Sequence, residues 1–278
     1  KKMIVVKIGG GEGIDYGAVC ADMAALHGRG ERLVLVHGGN ALATELATQL
    51  GHPPTFITSP SGYSSRLTDR RTLEIFEMAY CGRINKMLVE MLQARGVNAI
   101  GLSGLDGGLW RGERKAVVRA VENGRQRIIR DNWTGRITTI NHALLNTLLD
   151  AGYLPVLTPP ALSEANEAIN VDGDRAAAAT AAALQAHTLL LLSNVPGLLR
   201  HFPDVDSLIP ALNQDELAAV RAESAEGRMR IKLLAAEEAL QAGVNRVVIG
   251  SAAATDPITA ALQGAGTQIH VTPEEQPA

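Results

Sequence analysis

Apolar, β-branched runs alternate with helical patterns along most of this chain, and that alternation constrains the fold more than any other feature. Met3–Ile8 precedes a helical Tyr16–Arg29, Arg32–His37 precedes Ala41–Leu50, and Arg71–Arg95 precedes Ala99–Leu102. Runs without polar alternation suit strands buried on both faces, as in a parallel sheet covered by helices. The pattern predicts an α/β fold with a mainly parallel sheet. From Trp110 to Arg136 the texture changes to short runs, Lys115–Glu122 and Arg125–Arg130, joined by Asn123-Gly124, a hairpin signal. Beyond it, Asn141–Ala151, Asp174–Gln185, Arg228–Ala242 and Asp256–Gln263 read as helices. Tyr153–Thr158, Thr188–Ser193 and Arg246–Gly250 read as strands, with Gly266–Val271 a last edge strand and Thr272–Ala278 a loose tail.

At 278 residues the chain has room for two lobes. No low-complexity linker separates them, so the boundary is expected inside a continuous sheet, near Ala161–Asp174. A net charge of −3 gives no basic field for nucleic acid, and 3% aromatic residues disfavour base stacking. The two cysteines, Cys20 and Cys81, lack metal-ligand spacing and are expected to be reduced, buried thiols. No run reaches the roughly 20 apolar residues of a membrane span. No targeting segment precedes the first strand, so a cytoplasmic location is expected.

Ligands of open α/β sheets bind outside the carboxyl ends of the strands. Four such ends carry polar or glycine-rich sequence: Lys7-Ile-Gly-Gly-Gly, His37-Gly-Gly-Asn, Ser103-Gly-Leu-Asp and Ser193-Asn-Val-Pro-Gly. The first fits neither a Walker loop, which needs Lys-Ser or Lys-Thr, nor a G-x-G-x-x-G dinucleotide loop. What remains is a nest of backbone N–H groups beside a lysine, suited to a phosphate. Gly38-Gly39 could likewise hold a carboxylate or a transferring phosphoryl group. His37 alone reads as a structural histidine.

Three further clusters carry charge. In Ser64–Arg71, Arg66 offers a planar fork to a carboxylate, with a solvated loop and an N-cap at Thr68 or Asp69 as the plain alternative. In Ala168–Asp174, Asp172 and Asp174 either cap the following helix or share one face of an extended segment with Asn170. Gly227–Lys232 places cations at a helix N-terminus, against the macrodipole, which points to an anion nearby.

Taken in order, Lys7-Ile-Gly-Gly-Gly, His37-Gly-Gly, Arg66-Leu-Thr-Asp, Asn170-Val-Asp-Gly-Asp, Ser193-Asn-Val-Pro-Gly and Met229-Arg-Ile-Lys232 resemble the motifs of the amino acid kinase superfamily, in its acetylglutamate kinase-like branch. The resemblance runs from Met3 to about Val271. It implies a three-layer α/β/α sandwich around an open sheet. Residues 1–165 would form an acyl-substrate and dimerisation lobe, and residues 166–278 an ATP lobe. Within the branch, Ser65–Met78, Gly101–Gly107 and Tyr153–Leu162 are similar to the subgroup acting on aminoadipate attached to an amino-group carrier protein, LysW, in lysine biosynthesis. Asn40 and Asn194, where acetylglutamate kinases usually have glycine and aspartate, point the same way. The rival readings are a kinase for free acetylglutamate or carrier-linked glutamate in arginine biosynthesis, and a non-catalytic amino-acid sensor.

The resemblance further implies transfer of phosphate from ATP to a side-chain carboxylate, giving an acyl phosphate. Such a carboxylate is ionised at neutral pH and needs no general base; what it needs is positioned positive charge. Lys7 and Lys232 are cast as transition-state stabilisers and Asp174 as the anion that orients them. Gly38, Gly39, Arg66 and Asn170 are assigned to the acyl substrate, and Gly10, Gly11, Ser193, Asn194 and Gly197 to ATP. Mg²⁺ is expected to arrive with the nucleotide, with no protein ligands of its own. An acidic carrier is expected to dock on a basic surface of Arg70-Arg71 and Arg111–Arg130. The resemblance also implies a homodimer rather than the ring of arginine-inhibited relatives, which share an extra apolar helix before the first strand, whereas here that strand begins at Met3.

Overall fold

The computed structural model describes residues 2–60, 64–122, 125–223 and 227–271. The chain begins β1 (Met3–Ile8), α1 (Tyr16–Gly28), β2 (Arg32–His37), α2 (Asn40–Gln49), β3 (Phe56–Thr58) and β4 (Ser64–Arg66). A long helical rod follows, α3 (Arg70–Glu77) and α4 (Asn85–Gln93) joined by a π-helical stretch, Met78–Ile84. Next come β5 (Ala99–Ser103), β6 (Trp110–Arg114), β7 (Val118–Glu122), β8 (Arg125–Ile129), β9 (Gly135–Ile140) and α5 (His142–Asp150). The second half holds β10 (Leu154–Thr158), β11 (Ala161–Ser163), β12 (Ala168–Ile169), α6 (Gly173–Ala183) and β13 (Thr188–Ser193). It closes with β14 (Ala211–Asn213), α7 (Gln214–Glu223), α8 (Gly227–Gln241), β15 (Arg246–Ser251), α9 (Pro257–Leu262) and β16 (Thr267–His270).

Among the described residues, eight strands form the central sheet in the order β14-β16-β15-β13-β1-β2-β10-β5. From β15 to β5 the pairings are parallel; β16 runs against β15, and β14 follows β16. The expected last edge strand is therefore interior, because β14, too short to stand out in the sequence, covers it. β1 pairs directly with β13, so one sheet spans both halves of the chain, as the missing linker suggests. Two smaller sheets, β12-β11-β6-β9 and β4-β3-β7-β8, sit beyond it. The β7–β8 hairpin forms with Glu122 opposite Arg125, while its Asn123-Gly124 link lies outside the described residues.

Strand alternation divides the core into two layers. Ile4, Val6 and Ile8 join Met23, Leu88 and Ile258 on one face. Val5 faces the other layer with Leu189, Leu191 and the alanines of α6 and α8, which let those helices come close. Lys7 has the parity of Val5, so the period of two aims its ammonium at α6 and α8.

Candidate active site

α6 begins at its Asp172 N-cap, whose side chain accepts from the Arg175 N–H. Asp174 therefore lies in the first helical turn, and the extended reading of Asn170, Asp172 and Asp174 on one face does not hold. Asp172 caps; Asp174 meets the lysines. Lys7 Nζ lies 2.6 Å from Asp174 Oδ1. Lys232, on α8, donates to Oδ2 at 2.9 Å and to Oδ1 at 3.1 Å. All three groups are buried, with 6–7% of each residue exposed. Burial alone would raise the Asp174 carboxyl, but the Lys7 and Lys232 ammoniums outweigh it and bring it down to about 2. Lys232 is pushed down, chiefly by burial and then by Lys7, with Asp174 restoring part of the shift. One carboxylate thus holds two ammoniums that would otherwise repel each other.

The two glycine loops touch. Gly9 N–H donates to Leu192 O at 2.9 Å, and Ala41 N–H donates to Gly10 O at 2.9 Å. A methyl group on Gly10 would collide with the Gly39 backbone, and one on Gly39 would land on Tyr80 and Ile84. Close backbone approach is why glycine stands at both positions. Gly39 caps α2 without a side-chain bond, so the first N–H groups of that helix have no intrahelical acceptor. His37 is fully buried, and burial lowers it to about 4 against the bond to the Gly38 carbonyl. Asn85 Nδ2 donates to His37 Nε2 at 3.0 Å, which leaves Nδ1–H to donate to Gly38 O at 3.0 Å. His37 is neutral and structural, as read from the sequence, and it holds the second glycine loop.

Ser193 ends β13 with its Oγ buried and without a hydrogen-bond partner, close to Gly9. Asn194 lies beside Gly13, whose φ is +81°. Together they wall the first glycine loop. Gly197 has a packing reason of its own: a methyl group there would strike Leu208 and Thr267. Gly11 lies on the side of the loop that faces Arg228.

Arg66, on β4, donates to Thr44 Oγ1 at 2.6 Å and lies over the rings of Phe76 and Phe56. Its Nη1 is buried without a hydrogen-bond partner. Asn170 is fixed through its backbone, its N–H donating to Trp133 O at 2.7 Å and its carbonyl accepting from Gly135 N–H at 2.9 Å. Sequence reasoning missed three residues here. Tyr80 donates to Asn40 Oδ1 at 2.6 Å, Asn85 orients His37, and Trp133 braces Asn170. A buried asparagine inside an apolar helical run was the one available signal.

Two fixed ammoniums beside paired backbone-amide loops can stabilise a transferring phosphoryl group and the oxygen attacking it. Among the described residues, no group of three His, Cys, Asp or Glu side chains is placed to hold a metal ion. No helix there is long and apolar enough to cross a membrane. The chain is 58% identical over 267 residues to the [LysW]-aminoadipate kinase of Deinococcus radiodurans, covering 96% of this chain and 91% of that one. It is 54% identical over 268 residues to the [LysW]-aminoadipate kinase of Thermus thermophilus, covering 96% and 100%. The fold is similar to that of N-acetylglutamate synthase from Neisseria gonorrhoeae complexed with coenzyme A and N-acetyl-glutamate, with a TM-score of 0.78 at 27% identity. That likeness covers 97% of this chain but 59% of the synthase, so the chain spans about three fifths of that protein's length. Residues 2–251 match the amino acid kinase family, and the chain belongs to it.

Proposed function

We propose that this kinase transfers the γ-phosphoryl group of ATP to the side-chain carboxylate of aminoadipate carried on LysW, giving an acyl phosphate and ADP. The observation that carries the reaction type is the Lys7–Asp174–Lys232 triad, buried beside the two glycine loops. Both relatives reported above carry that substrate in their names. In this reading residues 166–278 hold ATP, with Ser193, Asn194, Gly197, Gly10 and Gly11 around its phosphates. The orphaned Ser193 hydroxyl fits an anion with many acceptor oxygens. Mg²⁺ would enter with the nucleotide and neutralise phosphate charge. Residues 1–165, with Asn170, hold the acceptor: Arg66 takes a carboxylate on its unpartnered Nη1, Asn170 an amide, and Gly38 and Gly39 the reacting carboxylate. Lys7 and Lys232 draw off charge from the two ends of the transfer, and Asp174 keeps both ammoniums aimed.

An acidic carrier would dock on the exposed strand β8, where Arg125 and Arg127 face solvent, and on Arg111 and Arg119. Arg114 is not available to it, since that side chain pairs with Glu167 and stacks on Trp133. A second reading, free N-acetylglutamate as acceptor, is favoured by the likeness to the synthase complex. The deciding experiment offers the purified protein ATP with carrier-linked aminoadipate, carrier-linked glutamate or free acetylglutamate and compares kcat/KM. The two carrier-linked acids differ by one methylene, a difference worth about 1–3 kcal/mol in a pocket. Clear preference for carrier-linked aminoadipate is expected; preference for either other acceptor would replace the reading.

A further inference from the structure

Arg66 and Asn170 are 104 positions apart in sequence, yet one tripeptide, Trp133–Gly135, joins their surroundings. Trp133 N–H donates at 2.8 Å to the carbonyl of Thr68, two residues after Arg66 and just before the Asp69 cap of α3. On its other side Trp133 O accepts from Asn170 N–H, and Gly135 N–H donates to Asn170 O. Thr134 pairs with Asn170 in a parallel bridge. Both backbone polar groups of Asn170 and the strand end of Arg66 are therefore referred to the same three residues.

The tripeptide is itself held through the indole. Arg114 lies 3.4 Å and Arg70 5.0 Å from the Trp133 ring centroid. Trp133 Nε1–H donates to Asp131 Oδ1 at 2.6 Å. Arg114 Nε also donates to Asn132 O at 3.0 Å, so the arginine grips both ring and backbone. Buried Asn132 completes the brace by donating to Lys115 O and to Thr134 Oγ1. Arg70 opens α3, the helix capped beside Thr68. The stacked cations thus come one from the Arg66 side and one from strand β6, whose Arg114 pairs with Gly135, the residue that donates to Asn170.

We propose that Trp133 is a positioning residue for the acyl acceptor: clasped by Arg70 and Arg114, it sets the separation between Arg66 and Asn170. This rests on the assignment of those two residues to the acceptor made above. The test compares the full chain with Trp133→Leu, which keeps apolar bulk without the stack, and Trp133→Phe, which keeps a ring for both cations. With ATP and carrier-linked aminoadipate, Trp133→Leu is expected to raise the acceptor KM about tenfold, the loss of two modest cation–π contacts. KM for ATP and kcat should stay within about twofold, and Trp133→Phe should recover most of the acceptor KM, because ring stacking survives. A part that merely holds the fold would shift both KM values or the active fraction together. Hydrogen exchange supplies a readout without turnover: in Trp133→Leu the amides of residue 133, Gly135 and Asn170 should exchange faster, and those of β1 and β13 should not. Failure of the wild type to use carrier-linked aminoadipate would end the reaction reading alone, and exchange would still judge the brace. Unchanged exchange at Asn170, or equal rises in the two KM values, overturns the role of Trp133.

Discussion

Replacing Asp174 with asparagine leaves the shape of the site nearly intact and removes one charge from between two ammoniums. At contacts of 2.6 and 2.9 Å, an effective dielectric of about 20 gives roughly 6 kcal/mol of gross attraction per ammonium. Desolvating three ions takes back several kcal/mol each. The carboxyl pKa of about 2 measures the surplus for protonation, roughly 2–3 kcal/mol against an ordinary aspartate. Because the folded value lies below the unfolded one, this stability is present above about pH 4 and lost as pH falls toward 2. Asp174→Asn cannot regain it by protonation; it strands two buried cations, which by analogy with broken buried pairs destabilises by about 3–5 kcal/mol at pH 7. Relief comes when a stranded lysine deprotonates. The native state then binds fewer protons than the unfolded chain, so stability of the variant should climb with pH between 7 and 10 more steeply than that of the wild type. Urea unfolding at several pH values measures the slope, and initial rates should fall about 10²–10³-fold as the ammoniums lose their aim. A variant within about 1 kcal/mol of wild type at pH 7, with parallel pH slopes, would refute the triad as the organising charge of the site.

Lys7→Met and Lys232→Met should each lower kcat by about 10²–10³-fold with the fold retained by circular dichroism, and arginine should not fully restore either. His37 is neutral above its pKa of about 4, below the ordinary 6.5, so stability should fall as pH drops from about 6.5 to 4; His37→Gln should flatten that limb of the thermal-unfolding profile. Reversing Arg125 and Arg127 to Glu should raise KM for the carrier-linked substrate, spare kcat and weaken the response to salt, since exposed charges act through long-range attraction. An unchanged KM would move the docking surface elsewhere.

Lys7 was legible because an ammonium at the end of an apolar strand, beside a run of glycines, demands a destination such as a phosphate. Lys232 stood out as part of a cationic turn opposing a helix dipole. Their convergence on Asp174 came only from the family resemblance, since by themselves two acids two positions apart at a helix start are equivalent until the cap residue is known. Tyr80 and Trp133 escaped notice because aromatic residues read as core wherever they fall, and their roles depend on partners 40 and 37 positions away, Asn40 and Asn170. β14 was missed because three residues carry no period.

The rod from Arg70 to Gln93 presents Tyr80 and Ile84 to Gly39 and Asn85 to His37, with a π-helical stretch at Met78–Ile84. One residue inserted into a helix advances everything after it by about 100° around the axis. Tyr80, inside that stretch, and Asn85, just after it, can face the same loop only because that advance has been taken. Deleting a single residue between Met78 and Ile84 would restore an ordinary helix and turn one half away. Either Tyr80 would leave Asn40 or Asn85 would leave His37. The second glycine loop is thereby tied to the length of a segment that never enters it, so the rod should tolerate exchange of exposed Met78 far better than its removal.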